Sequence, residues 1–140
     1  VTLTPIEQIS KVEATPRIVV IEDEPAVSIL LVKILKSHGF DVCAAATGND
    51  GLRLIEERNC NLILSDIDLP DIDGFEICRR IKQNRKLRLI PIILMSGRLA
   101  EGNEALALKV GASDYMSKPF GVNAILSKIS ARIREAEKGP

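Results

Sequence analysis

Residues 62–74 read LILSDIDLPDIDG, where three aliphatics and a serine lead into four aspartates within eight positions. A second acidic group, Glu22-Asp23-Glu24, follows the aliphatic run IVVI, and Ser96-Gly97 follows PIILM. Near the end of the chain Lys118-Pro119 follows SDYMS. Glu22, Asp23 and Asp66, if gathered at one place, repel strongly unless a proton or a cation lies among them. One or two carboxylates plus retained water are the oxygen ligands that suit Mg²⁺, an ion that commonly joins a protein to a phosphoryl group. Lys118 supplies the opposite charge, and the Ser96 hydroxyl a neutral donor. Nucleophile, metal ligands and counter-charge are all within the repertoire of these four segments.

Such a gathering needs elements that deliver the segments to one edge. RIVVI is a short β-branched strand, and Pro25 suits a first helical turn. Val27, Leu30, Leu31, Ile34 and Leu35 recur at helical spacing until Gly39, which can close the helix. The alternation continues through FDVCAAA and a helix from about Leu52 to Arg58, NLILSD and a helix from about Phe75 to Asn84, PIILMS and Glu104 to Val110, then SDYMS and Val122 to Glu137. Five short strands alternating with five helices predict a doubly wound, flavodoxin-like α/β fold with a five-stranded parallel sheet covered on both faces. In such sheets ligands bind beyond the carboxyl ends of the strands. Every strand terminus but the second delivers polar or charged groups there.

Composition narrows the function. The 140 residues fit one domain, expected over residues 17–137 after an arm or linker of residues 1–16 and before a tail of residues 138–140. Lys plus Arg number 19, as do Asp plus Glu, so no broad basic face is expected for nucleic acid. Trp is absent and Phe and Tyr together number four, which leaves little for base stacking. Cys43, Cys60 and Cys78 are widely spaced and odd in number, which predicts reduced thiols. No stretch approaches the ~20 apolar residues of a membrane span. A cytoplasmic protein with no membrane partner is expected.

The ordered set Glu22-Asp23, Asp66-x-x-x-Pro70-x-x-Asp73-Gly74, Ser96-Gly97 and Tyr115-x-x-Lys118-Pro119 resembles the receiver domain of two-component response regulators, from about Arg17 to the end of the last helix. The resemblance implies that Asp66 accepts a phosphoryl group from a sensor histidine kinase or a histidine phosphotransfer protein. It also implies that Asp23, Asp66 and the backbone carbonyl of Asp68 bind Mg²⁺, with Glu22 acting through water. Lys118 is implied to pair with Asp66 at rest and with the phosphoryl group afterwards, through a cis bond to Pro119. Ser96 and Tyr115 are implied to be the switch pair, signalling to a downstream protein or output domain through the surface of the fourth helix, fifth strand and fifth helix. Glycines 97, 102 and 111 suit a segment that rearranges. The side chains of Asp68 and Arg98 stand where the family sets phosphoryl lifetime.

Other readings compete for the same residues. Asp71 and Asp73 read as turn chemistry, with Asp73 favouring a helix cap. A calcium loop fails, because in the frame where Asp71, Asp73 and Gly74 fit, its first and last positions are Leu69 and Arg80. His38 beside Gly39 suits a helix end, and ILLVKIL suits core packing. Asp66-x-Asp68 also resembles the motif of haloacid dehalogenase-type phosphatases, though that family carries it on the first strand. An inert receiver-like interaction module usually lacks the acceptor, the acidic pair or the lysine, and all three are here. Nothing beyond the last helix resembles an output domain, so the regulator is expected either to stand alone or to be a piece of a longer protein.

Overall fold

A computed structural model describes residues 15–97 and 102–138. Most of the expected N-terminal arm, Arg98 and the last two residues of the tail lie outside the described residues. The elements run β1 Arg17–Ile21, α1 Pro25–Ser37, β2 Asp41–Ala45, α2 Gly48–Glu57, β3 Leu62–Asp66, α3 Gly74–Gln83, β4 Ile92–Ser96, α4 Asn103–Lys109, β5 Asp114–Ser117 and α5 Val122–Glu137. The five strands form one parallel sheet in the order β2-β1-β3-β4-β5. The doubly wound fold expected from the alternation is present.

The strand period of two divides the core. Val19, Ile21, Ile63, Ile92 and Leu94 face Ile55 of α2, Ile77 and Ile81 of α3 and Ala107 of α4. Ile18, Val20, Leu62, Leu64, Ile93 and Met95 face Leu31 and Leu35 of α1 and Ile125, Ile129 and Ile133 of α5. Because β1, β3 and β4 are buried on both faces, they read as unbroken apolar runs rather than alternating ones.

Local signals set the helix ends. Pro25 opens α1, and Gly39 follows its last turn with φ +92°, a conformation that disfavours a side chain. The His38 ring packs on that end, with Nδ1 2.9 Å from the Ile34 carbonyl oxygen. Asp73 caps α3 by accepting from the Glu76 N–H at 2.8 Å, as its turn chemistry predicts. Helix α2 begins four residues before the expected start at Leu52, because Thr47 caps it by accepting from the Asp50 N–H. Glycine at 51 lets that first turn lie on β1, since a Cβ there would come within 2.3 Å of Ile21 Cδ1.

One expectation about α1 is corrected. ILLVKIL does not place all its apolar side chains on the sheet: Leu31 and Leu35 are buried, but Ile29 and Leu30 are 56% and 58% exposed. A helix has one sheet-facing stripe, and the i, i+4 pair fills it. Cys60 and Cys78 are buried, Cys43 is half-buried, and none forms a disulfide. Among the described residues, no helix is long and apolar enough to cross a membrane.

Candidate functional site

The strand order reverses between β1 and β3, and both send their carboxyl ends to the same edge. Ile21 pairs with Ser65 in the register, so the residues that follow, Glu22 and Asp66, emerge side by side. Carboxylate oxygens of Glu22, Asp23 and Asp66 lie within 4.8 Å of one another. Glu22 and Asp66 are buried, whereas Asp23 is exposed at the mouth. The Glu22 side chain also accepts from the Glu24 N–H at 3.2 Å. Asp66 Oδ1 accepts from the Asp68 N–H at 3.2 Å, which folds the loop after β3 back over its own end.

Lys118 reaches this acidic corner from the far side of the sheet. Its backbone N–H donates to the Ser96 carbonyl at 2.8 Å, and its bond to Pro119 is cis. Its ammonium donates to Asp66 Oδ2 at 2.9 Å and also to Glu22 Oε1. The sequence reading gave Lys118 one resting partner; the fold gives it two. Burial pulls the Lys118 pKa down, but the hydrogen bonds and charges of Glu22 and Asp66 outweigh that and hold it above its ordinary value. Burial pushes the Glu22 carboxyl up, against the opposing pull of the Lys118 hydrogen bond. Three carboxylates around one ammonium leave an excess of negative charge that a cation can balance.

The donor set fits Mg²⁺. It consists of hard oxygens, two of them on side chains at neighbouring strand ends, and exposed Asp23 leaves room for the waters this ion retains. The glycine after Asp73 belongs to the same construction. A Cβ on Gly74 would lie 2.7 Å from the Asp66 carbonyl oxygen and 2.9 Å from Ile67 Cα, so only glycine lets α3 start this close to the end of β3.

Ser96 ends β4 beside this corner and is buried. Tyr115 is not in the cluster: it lies half-buried on β5, against the core face shared with α2, α3 and α4. Asp68 is exposed at the rim. An apolar groove of about 460 Å³ runs between α1 and α5 and opens on the site, lined by Val27, Leu30, Ile34, Phe120 and Val122 together with Lys118.

Asp71 has a role that sequence reasoning missed. Its two carboxylate oxygens accept from the Gly48 and Asn49 N–H groups, each at 2.8 Å, and so hold the N-terminus of α2 to the loop after β3. Its partners lie more than twenty residues away, so no local pattern announces the link.

A family profile described as "Response regulator receiver domain" matches residues 18–130. The chain belongs to this family. Solved structures agree. A CheY-like response regulator receiver domain protein from Methanospirillum hungatei JF-1 is 32% identical, with a TM-score of 0.84 over 91% of this chain and 100% of that one. The receiver domain of a signal transduction histidine kinase from Syntrophus aciditrophicus is 26% identical, with a TM-score of 0.83 over 90% of this chain and 96% of that one. The BeF3-activated N-terminal receiver domain of RstA from Klebsiella pneumoniae is 31% identical, with a TM-score of 0.78 over 84% of this chain and 98% of that one.

Receiver domains are signalling phosphoacceptor domains, not enzymes in the ordinary sense, and they bind Mg²⁺ in an acidic pocket. That membership leaves the phosphatase reading of Asp66-x-Asp68 without support. This receiver domain has an acidic cluster and an engaged lysine at the expected strand ends.

Proposed function

We propose that this receiver domain is a phosphorylation-driven switch that takes a phosphoryl group onto Asp66 from a phosphohistidine of a sensor kinase or phosphotransfer protein. One observation carries the reading: the Lys118 ammonium sits 2.9 Å from Asp66 Oδ2, beside three carboxylates whose oxygens lie within 4.8 Å. In the transfer, an Asp66 oxygen attacks phosphorus as the bond from phosphorus to the donor imidazole nitrogen breaks. The electron pair of that bond leaves with the imidazole, and Asp66 becomes an acyl phosphate.

Asp23, Asp66 and the Asp68 carbonyl would hold Mg²⁺, with Glu22 acting through water. When bound, the ion neutralises charge on the transferring group. Lys118 gives up its contact with Asp66 Oδ2 and pairs with a phosphoryl oxygen, and Ser96 turns its hydroxyl to another. That movement opens room for Tyr115 to turn inward, so that α4, β5 and α5 present a different surface to a partner or output domain. The groove between α1 and α5 supports a protein donor: exposed Leu30 and Val122 flank an approach that ends at Lys118. Unbridged thiols and a kinase-type donor suit a cytoplasmic setting.

Mass spectrometry after incubation with acetyl phosphate and Mg²⁺ tests this directly. The expected result is an adduct of one phosphoryl group that is lost in Asp66→Asn. No adduct with any donor would leave an inert interaction module, and sustained phosphomonoester turnover would restore the phosphatase reading.

A further inference from the structure

The chain is neutral as a whole, yet its charges are segregated. Between residues 79 and 88 stand Arg79, Arg80, Lys82, Arg85, Lys86 and Arg88, and residues 77–100 contain no acid. Glu76 is the acid nearest in sequence, and it is shared between Arg79 at 3.5 Å and Arg80 at 3.0 Å. On one side of this stretch α3 and α4 enclose a groove of about 470 Å³, lined by Arg79, Lys82, Gln83, Leu106, Lys109 and Val110. Lys82 is held there by a hydrogen bond from its ammonium to the Arg88 carbonyl at 3.0 Å. Its aliphatic stem lies over Gly111, where a Cβ would come within 2.9 Å of Lys82 Cγ. The groove therefore has a cationic rim and an aliphatic floor, and Leu106 and Leu108 on α4 are 37% and 53% exposed.

We infer that the α3–α4 groove docks an acidic, amphipathic polypeptide segment of a protein partner, whose carboxylates meet Arg79, Lys82 and Lys109 and whose aliphatic side chains cover Leu106 and Val110. Charge complementarity decides the occupant. A groove with three cations on its rim recruits a negative partner, and its aliphatic floor rewards a segment with an apolar stripe. Nucleic acid fits less well. None of Phe40, Phe75, Tyr115 and Phe120 lines the groove to stack a base. The groove residues are distinct from the acidic corner at Asp66, and the docking is argued for the unphosphorylated domain.

Fluorescence anisotropy with the full chain tests the docking. The probe is a labelled peptide of about 16 residues with Glu on one helical face and Leu on the other. Saturable binding is expected, weakened about tenfold or more in the double variant Arg79→Glu, Lys109→Glu and several-fold in Leu106→Ser. Both substitutions of the double variant are on exposed positions, and an unchanged melting temperature shows that the fold persists. Asp66→Asn is expected to bind like the parent, so failure of the phosphoryl-transfer reading and failure of this one are distinguishable. The inference is overturned by absence of binding, by equal binding in the double variant, or by tighter binding of a mixed-sequence DNA duplex than of the peptide.

Discussion

Removing the Asp71 carboxylate breaks two hydrogen bonds that tie the N-terminus of α2 to the loop after β3. In Asp71→Ala the N–H groups of Gly48 and Asn49 lose acceptors at 2.8 Å each, and the N-terminus of α2 loses a negative charge. Asp71 is exposed, so water replaces part of the loss, and each bond is worth about 1 kcal/mol rather than the larger value of a buried charged pair. The sum is about 2 kcal/mol, close to the upper range for a lost helix cap. At about 4 °C per kcal/mol for a domain of this size, the melting temperature falls by about 8 °C. Asp71→Asn retains one acceptor oxygen and is expected to recover at most about half of that. The gap between parent and Asp71→Ala also depends on pH. Slight burial raises the Asp71 carboxyl, but the backbone N–H groups of Asn49 and Gly48 outweigh it and hold the folded-state pKa below its ordinary value. A depressed carboxyl stabilises the fold above its unfolded value of about 3.9, and this contribution is lost as pH falls through the folded value. Thermal melts from neutral to acid pH, followed by circular dichroism, read both effects. A melting temperature within about 2 °C of the parent at neutral pH, or a gap that widens on acidification, refutes the clamp.

Gly74→Ala is expected to cost about 1–3 kcal/mol by overpacking, because the new methyl presses on the Asp66 carbonyl; denaturant melts read the loss, and phosphorylation by acetyl phosphate slows with it. Asp23→Asn removes one of the three clustered carboxylates and, in chelator, is expected to raise stability by up to about 1 kcal/mol. Mg²⁺ is expected to raise the melting temperature of the parent and not of this variant, which calorimetry with and without the ion checks. Leu30→Glu, at a 58% exposed position, is expected to leave stability within about 0.5 kcal/mol of the parent. Transfer from a phosphohistidine donor, followed by gel or mass shift, slows several-fold while acetyl phosphate still reacts normally.

Much of this domain was legible in its amino-acid order, because the relevant forces are local. Apolar runs bounded by turn residues marked all five strands, Pro25 and Gly39 bounded α1, and Asp73 capped α3 as its type and place require. The acids and the lysine at strand ends were legible too, since a parallel sheet sends all its carboxyl ends to one edge. Tertiary structure alone decided which distant groups touch. The alternation did not reveal that Lys118 bridges Glu22 as well as Asp66, that Asp71 holds the first turn of α2, or that Leu30 turns away from the sheet. Nor did a zero net charge reveal a cationic groove between α3 and α4. Each of these depends on how helices rotate and how strands register as the two core faces close. That packing sums contacts over the whole chain, and no short window of residues contains it.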